Sequence, residues 1–203
     1  YRGTCRARAG DVAFQVVVGQ TDLWVLADND LSGPVMDRVH TLRGELEAYI
    51  TLHPEFLTSL EPLEVGAKAP ELVSEMARAG SLCGVGPMAA VAGGIAQRVA
   101  DGFVGVSANM IVENGGDIAM RSTCDRVVGL LAEPGTDTVL GLRFQAEDFP
   151  LCLCSSSATI GHSLSLGRGE LVVVRAVRGS YADAAATALC NVLKEKRDLD
   201  RVL

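Results

Sequence analysis

Residues 110–120 read Met-Ile-Val-Glu-Asn-Gly-Gly-Asp-Ile-Ala-Met, two short apolar runs joined through Asn114-Gly115. Asn-Gly between apolar runs is the strongest short-range signal for a β-hairpin. A hairpin commits the chain to antiparallel pairing, so a purely parallel sheet is excluded. Other apolar runs read as strands: Val12–Val18, Leu23–Ala27, Val127–Ala132, Val139–Phe144 and Leu171–Val177. Gly19-Gln20-Thr21 reads as the turn of an N-terminal hairpin.

Helical periodicity is interleaved with these strands. Val35, Val39, Leu42, Leu46 and Ile50 recur at helical spacing between Gly33-Pro34 and Pro54. A second helix is expected from Pro70 to Gly80. A third starts near Pro87, buries Met88, Val91, Ile95 and Val99, and ends at Gly102. The last runs from about Tyr181 to Lys194, with Lys194–Arg197 as its basic C-terminal turn. Hairpins mixed with helices predict an α+β fold, a mixed or antiparallel sheet covered by helices. No composition break or low-complexity linker divides the 203 residues, which points to a single compact unit over 1–203.

Composition narrows the function. Lys plus Arg number 18 against 25 Asp plus Glu, a net charge of -7, and aromatic residues are 4%. A phosphate-backbone binder needs basic surface and a base-stacking platform needs aromatics, so nucleic acid is not an expected partner. No apolar run reaches the roughly 20 residues that span a bilayer, so no membrane is expected. No signal-peptide pattern opens the chain. It begins at Tyr1 rather than Met, which leaves open a leader ahead of it. Six cysteines without CxxC spacing fit a reduced, cytoplasmic protein. Cys83 and Cys190 read as small hydrophobes in apolar surroundings. Cys152 and Cys154 are weighed as a metal or redox pair, and Cys154 with His162 as a nucleophile pair.

Four stretches carry residues suited to a nucleotide. Gly84-Val85-Gly86-Pro87 leads into a helix whose free N–H groups suit an anion, although a plain Pro-started helix explains it as well. Gly93-Gly94 inside that helix costs about 1 kcal/mol per glycine, which implies close approach of a ligand or of another backbone. In Glu113-Asn114-Gly115-Gly116-Asp117 the second glycine exceeds what a two-residue turn needs, and the acids suit a ribose or an adenine amine. Ser155-Ser156-Ser157-Ala158-Thr159, followed by His162, is dense in hydroxyls that suit phosphate, with His162 as an acid, base or orienting donor. Asp183 and Thr187 are four apart on one helix face, an oxygen-rich pair for Mg²⁺, while an acid in a first helical turn is its ordinary explanation.

Taken in order, GVGPMAAVAG, ENGGDI, the serine run with GHSLSLGR, and ADAAATA resemble the ApbE-like flavin-binding superfamily. The nearer resemblance is to a small prokaryotic family within it and runs from about Leu42 to Asn191. That to the flavin transferases covers about Gly93–Thr187. The resemblance implies an α+β fold related to the T-fold and a ligand of FAD or FMN. It implies Mg²⁺-dependent cleavage of FAD, with FMN moved onto a redox protein. Carried over residue by residue, Gly115, Gly116 and Asp117 hold the nucleotide, Ser155–Thr159 contact phosphate, and Asp183 and Thr187 bind the metal. Gly93-Gly94 stands where the transferases have Lys-Gly, and no Asp-Pro follows His162. These departures leave two further readings, a non-catalytic flavin or nucleotide binder and a homo-oligomeric interaction protein whose marker loops form the interface.

Overall fold

The structure is a computed structural model and describes residues 8–130, 140–157 and 171–201. Among the described residues, eight strands and five α-helices occur in the order β1 (Val12–Val18), β2 (Thr21–Ala27), α1 (Ser32–Leu52), α2 (Glu55–Thr58), α3 (Glu71–Cys83), α4 (Val91–Gly102), β3 (Met110–Asn114), β4 (Asp117–Arg121), β5 (Arg126–Leu130), β6 (Leu140–Phe144), β7 (Leu151–Ser156), β8 (Val172–Ala176) and α5 (Gly179–Val192). Short 3-10 turns precede α4, β7 and the end of the chain. Six strands form one sheet in the order β1-β2-β3-β4-β7-β8, every pair antiparallel. β5 and β6 form a separate hairpin.

The alternation of side chains along the strands divides the core in two. One sheet face carries Val16, Leu23, Val25, Met110, Val112, Ala119, Cys152 and Cys154 against α1, α3, α4 and α5. The other carries Leu26, Ile111, Ile118, Met120, Leu151 and Leu153 against Val128 and Phe144 of the β5–β6 hairpin. Each fully buried aliphatic side chain contributes roughly 1.5–3 kcal/mol of transfer free energy. Among the described residues no single helix is long and apolar enough to cross a membrane.

The structure differs from the sequence expectation at several places. Gly80 does not end α3. The helix continues to Cys83 and closes on Gly84, which takes the left-handed conformation at φ 69°. Gly80 is needed instead for packing, because a β-carbon there would lie 2.7 Å from the Val85 carbonyl. The hairpin between β3 and β4 turns on Gly115-Gly116, not on Asn114-Gly115. Asn114 pairs with Asp117, and both glycines have positive φ, 66° and 107°. Ser155 and Ser156 belong to a strand, β7, rather than to a turn. Asp183 lies one turn inside α5, which starts at Gly179. Lys194–Arg197 falls beyond the end of α5 at Val192, and Asp198 accepts the backbone N–H groups of Lys194 and Glu195.

Candidate functional site

The site is built where α4 and α5 cross over the middle of the sheet. Both helices come together without side chains at the crossing. A β-carbon on Gly179 would lie 2.2 Å from the Gly93 carbonyl oxygen, and one on Gly93 would lie 2.5 Å from the Gly179 carbonyl oxygen. A β-carbon on Gly94 would meet the Ser180 hydroxyl at 2.6 Å. Gly93 therefore answers to another backbone and Gly94 to the Ser180 and Leu72 side chains, at a cost in helix propensity that the packing offsets.

Each helix then caps the other. The first N–H groups of a helix have no partner within it. The Gly93 N–H, at the start of α4, donates to Oδ2 of Asp183 at 2.9 Å. The Gly179 N–H, at the start of α5, donates to Oε1 of Gln97 at 2.7 Å. Asn114 joins the junction from the sheet, its Nδ2 donating to the Ala92 carbonyl at 3.0 Å.

Asp117 is the second acid of this junction. The tight Gly115-Gly116 turn begins β4 with Asp117 pointing inward. Its Oδ1 accepts the Ser155 N–H at 2.9 Å, and the Ser155 hydroxyl donates to the Gly116 carbonyl at 3.2 Å. Glu113 closes the turn by accepting the Gly116 N–H at 2.7 Å. Asp117 is 5% exposed and Asp183 8%. The two carboxyls are near enough to act on each other's charge, and the Cys154 thiol, which donates to the Gly179 carbonyl at 3.6 Å, also acts on Asp117. Burial drives both carboxyls above the ordinary carboxylate range, and Asp117 reaches about 7. For Asp117 the Ser155 N–H and the Cys154 thiol oppose that rise, and the Glu113 charge adds to it. For Asp183 the Asp117 charge adds to burial, and the α4 amides of Gly93 and Ala92 oppose. Two carboxyls in contact in a desolvated place favour sharing a proton over carrying two charges.

The structure thus brings together Gly93, Glu113, Asn114, Gly115, Gly116, Asp117, Ser155 and Asp183. Ser156 and Ser157 lie buried just beyond, and the Ser156 hydroxyl is buried without a hydrogen-bond partner among the described residues. Thr187, half-buried, follows Asp183 by one turn of α5. Gly84 and Gly86 answer to packing around α3: Gly84 caps the helix, and a β-carbon on Gly86 would strike the Ser59 carbonyl at 1.9 Å. Thr159 and His162 lie outside the described residues, and with them the Cys154–His162 pair. Burial pushes the Cys152 thiol up to about 12 and the Cys154 thiol up as well, the reverse of what a reactive cysteine needs. Gln97 and Gly179 carried no local signal in the sequence. A glutamine in mid-helix and a glycine after a strand are ordinary, and only the crossing gives them a role.

Among the described residues no three His, Cys, Asp or Glu side chains are grouped to hold a metal ion. Asp183 and Thr187 offer hard oxygens, and Asp117 adds a second carboxylate beside Asp183. That donor set fits Mg²⁺, which is commonly held by one or two carboxylates with substrate phosphates and water completing the shell. An ion bound there would displace the proton the two acids share and would be matched by the charge of both carboxylates.

Comparison with known proteins agrees with this architecture. A family described as AbpE bacteria matches residues 4–202. A UPF0280 protein of Methanocella arvoryzae is 41% identical over 175 residues, covering 86% of this chain and 71% of the relative. A UPF0280 protein of Methanocaldococcus jannaschii is 43% identical over 163 residues, 79% of this chain and 66% of the relative. Among solved structures, the flavin transferase ApbE from Vibrio cholerae superposes with a TM-score of 0.63 at 15% identity, over 94% of this chain and 89% of that one. The flavinyl transferase ApbE of Pseudomonas stutzeri gives 0.59 at 13% identity, over 94% and 86%. At such identities the likeness concerns the fold, and the α+β, ApbE-type fold expected from the sequence is the one observed.

Proposed function

The chain belongs to the family described as AbpE bacteria, and from that premise we propose that it binds a flavin nucleotide, FAD or FMN, at the α4–α5 junction. The buried Asp117–Asp183 pair beside the Gly115-Gly116 turn carries this reading. Two acids desolvated together destabilise a fold unless something is gained by keeping them. A cation-bearing polyphosphate is a ligand that turns that cost into affinity.

In this reading Gly115 and Gly116 let the nucleotide lie on the backbone, and Ser155, Ser156, Ser157 and Thr159 offer hydroxyls to phosphate. Ser156 is buried with a hydroxyl that has no hydrogen-bond partner among the described residues, which leaves it for such a bond. Asp183 and Thr187, with Asp117 beside them, would hold Mg²⁺. That ion would neutralise the pyrophosphate of FAD and favour its cleavage. Asp183 then has two tasks, keeping the start of α4 in place and holding the ion there. His162 is the group available for proton transfer. FMN transfer to a redox protein is the fullest form of this activity.

Binding without transfer is the second reading, and one observation favours it. Gly93 stands where the transferases carry Lys, and the crossing with Gly179 leaves no room for a β-carbon there. Release of AMP from FAD, followed with and without Mg²⁺, separates the two. Transfer or cleavage predicts Mg²⁺-dependent AMP that is lost in Asp183→Ala. Release unchanged by that substitution would refute the metal site.

A further inference from the structure

A cleft of about 270 Å³ opens between α1, the start of α3 and α4. It is lined by Arg38, Leu42, Glu45, Lys68, Pro70, Glu71, Leu72 and Arg98. We propose that this cleft is a second ligand site, which binds the phosphate group of a small monophosphate.

The charges in the cleft are unequally used. Arg98 is held by two carboxylates, Glu71 at 2.6 Å and Glu75 at 2.9 Å. The pairing, above all with Glu71, pushes its pKa up although burial disfavours its charge, so Glu71 and Arg98 neutralise each other. Arg38 and Lys68 form no salt bridge among the described residues. Nε of Arg38 is buried without a hydrogen-bond acceptor among them. That Nε lies against Gly102 of α4, so the protein's own acceptors do not hold the Arg38 guanidinium in place, and its charge is left for a ligand in the cleft. The nearby α3 begins after Pro70 with no side-chain cap, so its first N–H groups add to the positive potential at the same wall.

Charge and size narrow the ligand. A phosphate carries nearly two negative charges and three acceptor oxygens, enough for both cations. Glu45 lines the same space, without a salt bridge among the described residues, and repels a second anionic group, so the ligand carries one phosphate. The volume lies just under the roughly 300 Å³ at which drug-sized sites begin, which suits a small body. Arg38 and Lys68 contribute nothing to the acidic junction, so this site stands or falls apart from the flavin reading.

The test is thermal unfolding of the whole chain in inorganic phosphate against sodium chloride of equal ionic strength, since surface charges are screened alike by both. We expect a saturable rise in Tm of roughly 2–4 °C with phosphate. It persists in protein saturated with FAD and is lost in the Arg38→Gln/Lys68→Gln variant. Lys68→Gln alone, at an exposed position that does not threaten folding, should weaken phosphate at least about tenfold. No saturable rise in the wild type overturns the proposal, as does an equal rise in the double variant. An equal rise with acetate overturns the assignment to phosphate.

Discussion

The backbone N–H of Gly93 donates to the carboxylate of Asp183, 90 residues away in sequence, at 2.9 Å. A β-carbon on Gly93 would also sit 2.9 Å from the β-carbon of Asp183 and 2.8 Å from the Cys154 sulfur. The same glycine thus sets the helix crossing and the position of the acid. Asp183 caps α4 because α5 can come this near, and α5 comes this near because residues 93 and 179 have no side chains.

Gly93→Ala should therefore destabilise the protein by about 1–3 kcal/mol through overpacking against backbone that cannot yield. Gly44→Ala should do the opposite. Gly44 lies inside α1 with nothing within 4 Å of where a β-carbon would stand, so alanine gains about 0.5–1 kcal/mol of helix propensity. Urea unfolding of both variants checks the contrast. Equal effects would mean that the crossing is not as tight as described.

The β3–β4 turn makes a graded prediction. Gly115 has φ 66° and open space around it, so Gly115→Asn should be tolerated within about 1 kcal/mol. Gly116 has φ 107°, and a β-carbon there would lie 2.9 Å from the Ser155 hydroxyl. Gly116→Ala should cost more than Gly115→Asn and weaken FAD binding as well, read as a lower Tm together with a higher Kd.

Much of the fold was legible in the sequence because its signals are local. The 3.6-residue stripe Val35–Val39–Leu42–Leu46 became the buried face of α1, and the runs around Gly115 became β3 and β4. β7 was not legible. Leu151, Cys152, Leu153 and Cys154 are all buried, since both sheet faces are covered there, and a strand buried on both sides shows no alternation. The two serines at its end then read as a turn. In the site, Asp117 and Asp183 were legible as residues but not as a pair. Nothing in the chain between residues 117 and 183 announces that α5 returns across β4 and β7. The buried Asp11–Arg126 pair was missed for the same reason, since its partners are 115 residues apart.

Acidity gives a further prediction. In the folded protein the Asp117–Asp183 pair holds a proton that unfolded carboxyls release near pH ~4. Its contribution to stability is full below about pH 4 and is lost as pH rises through the raised folded values, about 7 for Asp117. Asp11 runs the other way. Burial opposes its charge, but the Arg126 guanidinium and the Arg8 N–H hold its carboxyl below the usual range. Its contribution is full above about pH 4 and is lost as pH falls through the lowered value. Stability should peak between about pH 4 and about pH 6. Tm at about pH 5.5 should exceed Tm at about pH 8.5, and Asp117→Asn should narrow that difference. A difference of the same size in Asp117→Asn would contradict the assignment to the pair.

A flavin nucleotide is proposed to bind where Asp117, Asp183 and the Gly115-Gly116 turn meet. Thermal unfolding with FAD and Mg²⁺ reads this binding, because a ligand that binds the native state must stabilise it. At about a hundredfold excess over Kd the wild-type Tm should rise by roughly 5–10 °C, and far less in Asp183→Ala. A wild-type Tm that does not move at any FAD concentration, with or without Mg²⁺, would contradict it.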